Sequence, residues 1–161
     1  MGEFALLKQH MEQSLATPGQ PIKNGSMAHD HSVYMMLADA AAQAVDEPDL
    51  RRYAPLLEEL ALRDGHRPYL AVAQRAWGVA HRLAGEYAEA EARLNAALKL
   101  FEGFQARWQI GRTRAELAAL AAARSEPDRA LALLTEALGD FEAMGAMPDV
   151  ERIRRALQAA R

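Results

Sequence analysis

The stretch WGVAHRLAGEYAEAEARLNAAL, residues 77–98, holds two glycines in unlike settings. Gly85 ends the run RPYLAVAQRAWGVAHRLA (67–84) and reads as a helix stop. Gly78 lies inside that run, where glycine costs about 1 kcal/mol against alanine. Such a position is kept when a neighbouring helix must come close. The alanines from Ala88 to Ala97 then read as contact points between helices, and Tyr87 opens the next one.

Outward from this stretch the pattern is helix, break, helix. SVYMMLADAAAQAV (32–45) stops at DEPD. DLRRYAPLLEELALRD (49–64) follows, with Asp49 as the expected N-cap. Pro55 inside it predicts a kink or a late start. Pro68 sits in the first turn of the third helix. The next segments stop near Gly103, at Ser125 and at Gly145, and the last opens with Pro148. Seven helices are expected after residue 26, with short connections and no strand. In the last, Val150, Ile153 and Leu157 are spaced to pack inward while Arg154, Arg155 and Arg161 stay wet.

A shift of 40 residues lays 85–105 on 125–145. Ala90 meets Ala130, Leu94 meets Leu134, Ala97 meets Ala137 and Phe101 meets Phe141. The preceding helices correspond too, Trp77 meeting Leu117 and Gly78 meeting Ala118. A weaker third copy is expected upstream. Each unit is a helical hairpin that cannot bury its own apolar face, so neighbours must stack.

The positions Trp77, Gly78, His81, Gly85, Tyr87, Ala90, Leu94 and Ala97 resemble a tetratricopeptide repeat, with His81 standing where that family has tyrosine. The second copy holds Leu117, Ala118, Ala121, Ser125, Pro127, Ala130, Leu134 and Ala137 in those places, keeping the later half and losing the glycines. The period of 40 rather than 34 is similar to the long-helix variant found beside bacterial signalling and regulatory domains. The likeness covers 32–160 in outline and is strong only over 71–145. It implies an all-α solenoid of antiparallel helix hairpins, about three repeats plus a C-terminal capping helix.

Residues 1–26 read apart from this 27–161 repeat domain. Phe4, Leu7, Met11 and Leu15 lie at helical spacing, and TPGQPIKNGS (17–26) reads as a linker. Met27 reads as a natural start, and EF at 3–4 with GS at 25–26 is what cloning sites leave. An added leader is expected, a tag or a tethered peptide. The whole chain has a net charge of -3 and no cysteine. General nucleic-acid binding and thiol chemistry are therefore not expected. With no long apolar run and no signal-peptide pattern, the expected setting is cytoplasmic.

Sites of chemistry are sparse. His29 and His31 have metal-like spacing but lack further placed ligands. His81 is expected to be a satisfied packing histidine and His66 to be exposed. Glu86, Glu89 and Glu91 open a helix, where negative charge suits the dipole, as do Asp128 and Asp149. Neither an enzyme nor a bound cofactor or metal is expected.

The resemblance implies a concave groove lined by the first helix of each hairpin, binding a peptide or helix. By position it would include Tyr34 and Met35, then Val72, Arg75, Val79 and Arg82, then Arg112, Ala115, Ala119 and Ala122. The arginines could meet peptide carboxylates. The family's grip on C-terminal carboxylates needs Lys and Asn where this chain has Arg75, Val79 and Ala119, so chaperone-tail binding is disfavoured. The leader face would dock in the same groove if it is a tethered partner. The alternative is a self-associating homodimeric scaffold, paired through Phe104, Trp108 and Ile110, or a sensor fragment of a larger bacterial signalling or transcription regulator.

Overall fold

A computed structural model describes residues 2–16 and 27–160, with side chains over 5–13 and 30–160. Its helices are α1 (Gly2–Ala16), α2 (Met27–Ala44), α3 (Glu47–Arg63) and α4 (Arg67–Leu83). They continue as α5 (Tyr87–Gly103), α6 (Arg107–Ala123), α7 (Pro127–Ala143) and α8 (Met147–Ala159). No strand occurs among the described residues. Each helix packs on the next in chain order, and α4 also touches α2 and α6. The fold is an all-α, solenoid-like array of helical hairpins. The expected linker 17–26, the side chains of Phe4, Leu15 and His29, and Arg161 lie outside the described residues.

The regularity is set at the turns. A residue with positive φ recurs every 20 positions: Val45, Gly65, Gly85, Gln105, Ser125 and Gly145. At each, the following N–H reaches back to a carbonyl five residues earlier. Examples are His66 to Ala61 at 2.8 Å and Ala146 to Phe141 at 3.0 Å. The left-handed residue itself bonds three back, as Gly85 does to Arg82 at 3.1 Å. This is the Schellman closure, and it satisfies two carbonyls the helix end would otherwise strand. Only half of these turns carry glycine; Ser125 also reads as a break, whereas Val45 and Gln105 do not signal one by residue type.

Two local expectations change. The N-cap of α3 is Asp46, whose Oδ1 accepts from the Asp49 N–H at 3.0 Å; Asp49 is already inside the helix. The helix start is fixed by Pro48, and α3 continues through Pro55 rather than beginning there.

The core runs along the array. Val33, Leu37, Leu50, Tyr53, Leu57, Val72, Val79 and Phe101 form its first part. Leu94, Leu117 and Leu120 join α5 to α6, and Leu134, Phe141, Val150 and Ile153 close the far end. Gly78 is where α4 and α5 meet: a Cβ there would stand 2.5 Å from Leu94 Cγ. Gly111 does the same between α6 and α7, where a Cβ would stand 2.9 Å from Phe141 Cζ. Gly139 meets nothing within 4 Å, so its place in α7 has no packing reason.

Helix α1 lies against α2 and α3. Met11 packs on the first core, and Lys8 Nζ meets Asp49 Oδ2 at 2.5 Å. Glu12 takes hydrogen bonds from Arg52 at 2.7 Å and from the Tyr53 hydroxyl at 2.5 Å. Burial and this bond push the Tyr53 phenol well above its usual range. Of the expected leader face, Met11 thus meets the start of the array rather than the groove.

Candidate functional site

Five of the residues expected in the groove come together around one cavity. Arg82, Arg112, Ala115, Ala119 and Ala122 line a space of about 530 Å³. Its other walls come from both ends of the chain: Ala42, Gln43 and Val45 of α2 and its turn, and Arg152, Ile153, Ala156 and Ala159 of α8. Small side chains on α6 and α8 keep the space open, since alanine methyls at i, i+4 and i+7 make a flat floor.

The other expected groove residues lie elsewhere. Val72 and Val79 are sealed in the core. The reason is the position of α4, which α2, α3, α5 and α6 enclose; eight of its 17 residues are buried. Tyr34 and Met35 pack half-buried against the first core. Arg75 is 3% exposed and also inside the protein.

Arg75 is buried because Asp39 compensates it. One Asp39 oxygen accepts from Arg75 Nη2 at 3.0 Å and the other from Arg112 Nη1 at 2.5 Å. Arg75 Nη1 also donates to Gln109 Oε1 at 2.5 Å. The two guanidiniums lie over Phe101 and Trp108, at 5.3 and 4.7 Å from the ring centres. Burial raises the Asp39 pKa, but the two arginines outweigh it and hold the carboxyl below its ordinary range. Burial and the nearby Arg112 lower Arg75 to about 10, still charged at neutral pH. Asp39 was not singled out in the sequence. The available signal was its isolation: it is the lone charge in the apolar run from Ser32 to Val45.

Arg82 reaches Glu116 at 3.3 Å, and its Nε is buried without a partner. Trp108 donates through Nε1 to Asp149 at 2.8 Å. Trp108 and Phe104 stay about two-fifths exposed, whereas Ile110, expected beside them, packs on the core.

The histidines sort by packing. His81 Nδ1 bonds the Glu86 carboxylate, and its ring stacks on Trp77 at 5.5 Å. His66, expected to be exposed, is half-buried in a ring cluster with His31 and Tyr69. His31 is fully buried with Nε2 3.3 Å from Asp64 Oδ2. No group of three or more potential metal ligands is gathered among the described residues. Glu86 also takes Arg51, and Glu91 ties Arg124 and Arg129 of the next hairpin, so both have specific partners beyond the helix dipole.

No helix among the described residues is long and apolar enough to cross a membrane. No protein-family model matches the chain, and a search of curated proteins finds no match.

Proposed function

We propose that this chain is a noncatalytic interaction module that holds a peptide or helix on the inner face of a tetratricopeptide-like array. The observation that carries this reading is the alanine-floored cavity between α2, α6 and α8, with Arg82 and Arg112 at its side. Apolar side chains of a partner would fill the floor, and the rim charges would orient it, as in helix-in-groove recognition. Arg75 is not part of this surface, because Asp39 and Gln109 occupy it.

Selection of displayed peptides on the full chain tests the reading. Peptides should be enriched on the wild type and lost on Ala119→Trp, which fills the floor. Failure to enrich any, or equal recovery on the variant, would overturn it.

The exposed pair Phe104 and Trp108 favours a second reading, a homodimeric scaffold. Sedimentation across a concentration series should then show a dimer that Trp108→Ser abolishes.

A further inference from the structure

The charges beside the cavity do not balance. Three guanidiniums, Arg75, Arg82 and Arg112, face two carboxylates, Asp39 and Glu116. Arg112 is 7% exposed yet lines the cavity, and the buried Nε of Arg82 lacks an acceptor. Arg152, the other cation on the wall, has Asp149 as its partner. A buried donor without an acceptor, and three guanidiniums sharing two carboxylates, with Arg75 behind the cavity wall, both favour an incoming anion. Apart from Gln43, the rest of the lining is apolar and mostly alanine, with Val45, Leu134 and Ile153 as its bulkier members. A volume of about 530 Å³, mostly apolar walls and a few convergent polar groups describe a small-molecule site.

We infer that this cavity binds a small apolar monocarboxylate, its carboxylate against Arg82 and Arg112 and its hydrocarbon on the alanine floor. The ligand would touch α2 and α8, from the first and last parts of the array, and so link its two ends. This goes beyond the peptide reading and does not depend on it, because the ligand is titrated directly. A bound acid would compete with a peptide for the same floor, which makes the module a sensor as well as a scaffold.

The probes are octanoate and 1-octanol, titrated calorimetrically into the full chain. Octanoate should saturate at one per chain, and 1-octanol should bind roughly tenfold more weakly or worse, the loss expected for a charged hydrogen bond. Arg82→Gln should weaken octanoate by a similar factor while leaving 1-octanol unchanged. Ala119→Phe should abolish binding. Ala122→Phe, at an exposed position on the same floor, should do so without burdening the core. Absence of saturation, equal affinity for the alcohol, or octanoate binding unaffected by Arg82→Gln or Ala122→Phe would each overturn the proposal.

Discussion

Val45 holds φ at 57° although its side chain is β-branched. That conformation costs an L-residue about 1–2 kcal/mol and suits glycine. Its side chain is 58% exposed, so little packing is lost with it. Val45→Gly should therefore stabilise the chain by about 1 kcal/mol, seen as a higher urea midpoint at unchanged slope. The interior glycines should respond in opposite senses. Gly78→Ala drives a methyl into Leu94 and should cost about 1–3 kcal/mol despite alanine's better helix propensity. Gly139→Ala meets open space and should gain about 0.5–1 kcal/mol. Equal shifts for the two in thermal melts would remove the packing account of Gly78.

At the scale of the element, each of α3 to α7 has 17 residues and ends in the same closure. The starts are less uniform. Asp46 makes a side-chain cap on α3, whereas His66, Glu86, Ala106, Glu126 and Ala146 make none. Asp46→Ala should cost about 1 kcal/mol. Glu126→Ala should cost α7 no cap, and its effect should be limited to its ion pairs with Arg124 and Arg129. Chemical unfolding of the two variants side by side separates these cases. Helix identities and breaks were legible because alanine and leucine recur at helical spacing between Gly, Pro and Ser. The αL turns at Val45 and Gln105 were not, since neither residue type signals that backbone. Gly78 was legible from its apolar helix. Gly111 was not, because it lies in a largely polar stretch, Arg107 to Arg114, and its partner Phe141 is 30 positions away.

Over the whole molecule, Asp39 is the tie that a nearest-neighbour array does not require. It joins α2 to α4 and, through Arg112, to α6. Asp39→Ala leaves two mostly buried arginines uncompensated and should cost about 3 kcal/mol, given the part-exposed carboxylate. The pH dependence follows from the lowered pKa. The carboxylate stabilises the fold fully above its unfolded value near 4, and this is lost as pH falls through the lower folded value. The stability gap between wild type and Asp39→Ala should thus be largest near pH 7 and shrink below pH 4. A gap unchanged between pH 7 and pH 3 in urea titrations would show that the charge is not what Asp39 supplies.

The sequence by itself determined the helices, their 40-residue repetition and the close approach at Gly78. Those features follow from local periodicity and from residue size at one position. Part of the candidate site was legible in the same way: Arg82, Arg112, Ala115, Ala119 and Ala122 were placed by their phase on the inner helices. The tertiary structure decided the rest. It enclosed α4, burying Val72 and Val79, and it brought Asp39 to arginines 36 and 73 positions away. It also set α8 opposite the end of α2 across one cavity. Such encounters depend on how each hairpin turns relative to the last, and that rotation is set by packing summed over every interface.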